Sequence, residues 1–167
     1  MNGIDYIITV QANILGKADK PHAGNRDRLH DEWVSRLVKW FREKGYRTIR
    51  EGKMPMAGWR TPDLFVLHNL TLEKVVEVIV LDPYEDGKNS VALKVKKMKD
   101  YYDPPEIVVF EPVDHLDRET LSERADFYKD RMGSRPDSYH TIQKFYADKW
   151  KKEHGWNVVF WSEKSLR

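Results

Sequence analysis

Residues 75–81, VVEVIVL, limit most sharply what this chain folds into. Six of these seven residues are apolar and most are β-branched. So short an apolar run reads as a buried strand. Glu77 stands in the middle of the run. A carboxylate taken out of water there needs something to replace its lost hydration. Residues 63–68, DLFVLH, form a second β-rich segment. The six residues between the two, 69–74, are too few for a helical crossover, so an antiparallel, hairpin-like pair is expected.

Around this pair the pattern alternates between helix and strand. Leu29, Trp33, Val34, Leu37, Val38, Trp40 and Phe41 recur at helical spacing over residues 28–44, and Gly45 supplies a stop. Residues 46–50 read as a short strand, and the Pro- and Gly-containing stretch 53–61 as a loop. After the polar loop 82–89, Ser90 is placed to cap a helix over 91–102 that ends before Pro104 and Pro105. A strand over 106–111, helices over 119–132 and 139–154, and a closing strand over 156–161 complete the order α-β-β-β-α-β-α-α-β. The apolar run YIITV within residues 6–15 reads as a further strand or a buried extended arm. The expected architecture is α/β (α+β): one domain over residues 1–167, with a small mixed sheet flanked by helices.

The 167 residues suit one compact domain, and 12% aromatic residues argue against disorder. The 29 basic and 27 acidic side chains nearly cancel. Bulk charge therefore neither demands nor excludes a polyanionic partner. No cysteine is present, which removes disulfides, thiolate zinc sites and cysteine nucleophiles and suits a reducing interior. With no apolar run of membrane-spanning length and no signal-like N-terminus, a soluble, intracellular protein without a membrane partner is expected.

The candidate chemistry centres on Asp63, after Pro62, and Glu77 fourteen positions on. Two carboxylates on adjacent strands suit a hard divalent cation, which takes oxygen ligands together with waters and substrate phosphate. Gly-rich phosphate loops, histidine-based zinc spacing and the Gly-x-Ser-x-Gly elbow do not occur. Triphosphate hydrolysis, zinc hydrolase and serine hydrolase chemistry therefore find no support.

The order of RDRLHDEWVSRLVKWFREKGY, TPDLFVL and VVEVIV resembles the PD-(D/E)XK nuclease superfamily over roughly residues 28–111. That resemblance implies a restriction-endonuclease-like core, Mg²⁺ or Mn²⁺ as cofactor and DNA as partner. It also implies Glu32, Asp63 and Glu77 as catalytic acids, with Asp63 and Glu77 holding the metal. Ile79 occupies the position of the family's lysine, on the same strand face as Glu77. The lysine-bearing helix and the following DPPEIVVFEP are similar to a large bacterial family of proteins classed as restriction endonucleases. A relocated lysine is then expected at Lys97 or Lys94, which align with Tyr101 along one flank of the helix over 91–102.

Other residues hold secondary places. Arg60, Lys94, Lys96 and Lys97 are candidate DNA contacts, and Asp82 and Glu85 are reserve acids beside Asp86. Asp31 is the alternative to Glu32, while His30 falls within the apolar arc and reads as a packed or hydrogen-bonded core histidine. Aromatics interleaved with Arg131, Arg135, Lys144, Lys149, Lys151 and Lys152 match a base-stacking surface in composition, although Trp156 and Trp161 read as core. The expected function is metal-dependent hydrolysis of DNA. The alternative is a nuclease-derived fold that binds DNA or assembles without cutting. A homodimer suits cleavage of both strands, and no heptad repeat marks an interface.

Overall fold

In the computed structural model, residues 25–50 and 62–167 are described. The expected strand or arm at 6–15 and the loop 53–61 with Arg60 lie outside the described residues. The elements are α1 (Asn25–Glu43), β1 (Arg47–Arg50), β2 (Leu64–His68), β3 (Thr71–Val78), α2 (Val91–Tyr102), β4 (Glu106–Phe110), α3 (Arg118–Met132), α4 (Tyr139–His154) and β5 (Val158–Trp161). A short 3-10 turn, Glu163–Leu166, follows.

The five strands lie in the spatial order β1-β2-β3-β4-β5. β1, β2 and β3 pair antiparallel, whereas β3, β4 and β5 run parallel. The sheet is therefore mixed, as the short connection before residue 75 and the long helical connections after it require.

Both faces of the sheet are covered. Val34, Leu37 and Phe41 form the buried stripe of α1 and pack on Leu64, Val66, Val76, Val78, Val108 and Phe110. On the opposite face, Val91, Val95 and Met98 of α2, Tyr128 of α3 and Ile142, Tyr146 and Trp150 of α4 cover Phe65, Val75, Ile107 and Val109. This two-sided burial explains why β3 is apolar at consecutive rather than alternate positions. Local signals set the ends of the helices. Gly45, at φ 91°, turns the chain out of α1, and the Ser90 side chain accepts from Leu93 N at the start of α2.

The one marked shift of boundary is in β3, which begins at Thr71 rather than 75 and ends at Val78 rather than 81. Asn69 and Leu70 both adopt positive φ, 48° and 65°. The β2–β3 link is thus a two-residue hairpin turn whose twist matches the strands. Without a glycine at either position, the sequence carries only a weak signal for it.

No described helix is long and apolar enough to cross a membrane.

Candidate functional site

Asp63 and Glu77 meet where β2 begins and β3 ends. Leu64 pairs with Val76 in the antiparallel ladder, and continuing that register by one residue sets Asp63 opposite Glu77. Asp63 contributes its side chain there, since Oδ2 accepts the Val78 backbone N–H at 2.7 Å. Both residues are almost wholly buried, at 4% and 2% exposure. The carboxyl ends of the parallel strands β3, β4 and β5 open at the same end of the sheet, the usual place for ligands in such folds.

Two cations serve these acids. Lys94 is 5% exposed and projects from the first turn of α2. Its Nζ lies 2.6 Å from Asp82 Oδ2 and 3.8 Å from Glu77 Oε1. His30 comes from the other face of the sheet, with Nε2 2.9 Å from Asp63 Oδ2 and Nδ1 3.5 Å from Asp31 Oδ1. Burial lowers the imidazole pKa. The hydrogen bond and charge of Asp63, the charge of Glu77 and the hydrogen bond to Asp31 outweigh it and raise the group to about 9. Arg50 Nη2 stands 3.7 Å from Asp31 Oδ1. The result is a line of charged groups in which half-buried His30 pairs with Asp31 and Asp63, and buried Lys94 pairs with Glu77 and Asp82.

The other sequence candidates fall in different places. Glu32 is exposed and two residues on from His30, about 200° around the helix, so it points away from the pair. Asp31, its alternative, is buried beside His30. Of the two lysines offered for the relocated role, Lys94 reaches the acids, whereas Lys97 is exposed. Lys96 is also exposed and pairs with Asp100 at 2.7 Å. Asp82 holds Lys94, while Glu85 accepts from Lys149 at 2.6 Å. Arg60 lies outside the described residues.

Ile79 is fully buried in the apolar cluster under α2, a setting in which a lysine would be desolvated. Tyr139, Tyr146, Trp150 and Trp156 are buried as well, so these members of the interleaved aromatic set belong to the core. His30 was legible only as a core position. It heads the stripe continued by Val34, Leu37 and Phe41, and the signal available was that a stripe's first turn abuts the strand ends.

The donor set is two carboxylates from neighbouring strands with an imidazole beside them. Oxygen donors of this kind match Mg²⁺ and Mn²⁺, and magnesium commonly uses one or two carboxylates with waters and substrate phosphate. Among the described residues, no group of three or more His, Cys, Asp or Glu is placed to hold a metal ion.

No family model, curated protein or solved structure matches this chain at a significant level.

Proposed function

We propose that this chain is a Mg²⁺- or Mn²⁺-dependent nuclease of the PD-(D/E)XK type that hydrolyses DNA phosphodiester bonds. The observation that carries this assignment is Asp63, directly before β2, in register with Glu77 of β3, with a buried ammonium, Lys94 Nζ, 3.8 Å from Glu77. Asp63 and Glu77 are the residues that would hold the cation. When bound, such a cation polarises the phosphate and lowers the pKa of water.

The chain's own groups do the rest. Lys94 offsets negative charge that grows on the phosphoryl oxygens, and its burial makes that charge count for more than it would in water. Asp82 fixes the direction of the ammonium. His30 and the Val78 N–H hold Asp63 Oδ2, leaving the carboxylate little freedom to turn. Lys96 and Lys97, exposed on α2, are available to the DNA backbone.

The test is cleavage of supercoiled plasmid and linear DNA in Mg²⁺ and Mn²⁺, with Mn²⁺ binding followed by electron paramagnetic resonance. Asp63→Asn and Glu77→Gln are expected to lower the rate by roughly a hundredfold or more and to weaken Mn²⁺ binding. Variants that cut and bind Mn²⁺ like the parent would falsify the assignment.

A second reading rests on Ile79 and on the internal pairing of the charges, His30 with Asp63 and Lys94 with Asp82. It makes the chain a DNA-binding or assembly protein that has lost catalysis. Salt-sensitive DNA binding without cleavage in either metal would favour it.

A further inference from the structure

The loop between β3 and α2 carries Asp82, and three elements pin it in place. Arg124 of α3 donates from Nη2 to the Asp82 carbonyl oxygen at 3.0 Å and from Nη1 to Glu111 Oε2 at 2.9 Å. Glu111, directly after β4, is fully buried and also accepts from the Tyr84 hydroxyl at 2.5 Å and from Gln143 Nε2 of α4 at 3.1 Å. The Tyr84 N–H donates to the Tyr128 hydroxyl at 3.0 Å. The Arg124 guanidinium lies 4.9 Å from the centroid of the Tyr84 ring, so one planar group grips the loop at a carbonyl and at an aromatic face.

The loop needs this hold. Leu81, immediately before Asp82, sits at φ 55°, a left-handed conformation that a leucine adopts only when its surroundings enforce it. This left-handed residue immediately precedes the carboxylate that meets Lys94 at 2.6 Å. Asp82 is thus held from two sides. Its carbonyl is bound by Arg124, and its carboxylate binds the ammonium that stands beside Glu77.

The geometry points to Arg124 as the positioning residue for Lys94: anchored on Glu111 and Tyr84, it holds the Asp82 backbone so that the Asp82 carboxylate keeps the ammonium facing Glu77. This rests on the nuclease assignment only for its catalytic consequence. The positioning is a property of the chain itself. Arg124→Lys is the informative change, because it preserves the charge beside Glu111 but removes the planar fork that spans two acceptors.

Two measurements on the full chain test it. Trace acetylation with mass spectrometry reports how firmly Lys94 is held, with Lys74, which is paired to Glu106 at 2.8 Å, as internal control. Plasmid cleavage in Mg²⁺ reports the reaction. In Arg124→Lys, Lys94 labelling relative to Lys74 is expected to rise roughly tenfold and kcat to fall roughly tenfold, with KM for DNA within about twofold.

General loosening of the fold would raise both lysines together, and that outcome overturns the positioning role. So does an unchanged labelling ratio, whereas a raised ratio with unchanged kcat supports the positioning and overturns its catalytic consequence. A parent chain that cuts no DNA overturns the nuclease assignment instead, and the labelling ratio still decides the positioning. If Arg124→Lys does not fold, Tyr84→Phe removes only the hydroxyl that anchors Glu111 and is read the same way.

Discussion

His30 Nε2 stands 2.9 Å from Asp63 Oδ2, so an imidazole delivered by α1 shares with the Val78 N–H the carboxylate oxygen at the start of β2. Its pKa, raised from 6.5 to about 9, links this contact to stability. A group whose folded pKa exceeds its unfolded value stabilises fully below the unfolded value, and the contribution fades as pH rises through the folded one. In the metal-free protein the His30 contribution is therefore complete below about pH 6.5 and gone above about pH 9, with an upper bound of about 3 kcal/mol. Urea unfolding in EDTA should show His30→Gln less stable than the parent at pH 6 and nearly equal to it at pH 9.5. An equal gap at both pH values would count against the link.

Lys94 separates two buried acids, Glu77 and Asp82, and its removal leaves them facing one another without the ammonium. Breaking a buried ion pair from one side costs about 3–5 kcal/mol. Lys94→Met should accordingly be destabilised on that scale in EDTA. If the carboxylates take a divalent cation, millimolar Mn²⁺ should return part of the lost stability, because a ligand bound only by the folded state adds to it. The check is chemical denaturation of Lys94→Met with and without Mn²⁺, beside Lys97→Met. The exposed Lys97 should change stability by less than about 0.5 kcal/mol. Equal loss in the two variants would remove Lys94 from the site.

Ile79 stands where the family resemblance implies a lysine, and it belongs to the buried apolar cluster on the α2 side of the sheet. Ile79→Lys would place an ammonium in that apolar cluster, at a cost of several kcal/mol (about 3) unless it reaches Glu77. The double variant Ile79→Lys, Lys94→Met decides whether the strand position still serves. It is expected to remain inactive and to melt below Lys94→Met. Recovered cleavage would instead show that the two positions are interchangeable.

What could be read ahead of the structure followed from burial. VVEVIVL marked the end of β3 as buried strand, and helical spacing placed α2 and α4 with their observed ends, because apolar periodicity and capping residues are local signals. Asp63 opposite Glu77 was accessible from two adjacent strands joined by a short link. The choice of Lys94 over Lys97 was not, since the two share one flank of α2 and only the packing angle decides which reaches the sheet. Glu111 and Arg124 left no trace either, being joined across 13 residues by a fold-dependent contact. Glu32 misled because a helix acid is as often solvated as inward, and here His30 and Asp31 hold the inward side.

The tight turn between β2 and β3 is the feature the sequence disguised most, and it yields its own test. Leu70 is 48% exposed and sits at φ 65°, so its side chain gains little burial while its backbone bears left-handed strain. Glycine relieves that strain but adds freedom to the unfolded chain, and the two effects oppose each other. Relief is the larger for a residue with a branched side chain at this position, so Leu70→Gly should stabilise the protein by about 1 kcal/mol. The resulting Asn69-Gly pair is the preferred sequence for such a hairpin. Thermal unfolding of Leu70→Gly beside the parent measures the effect, with a rise in Tm of a few degrees expected. A fall in Tm would mean that Leu70 makes apolar contacts worth more than its strain.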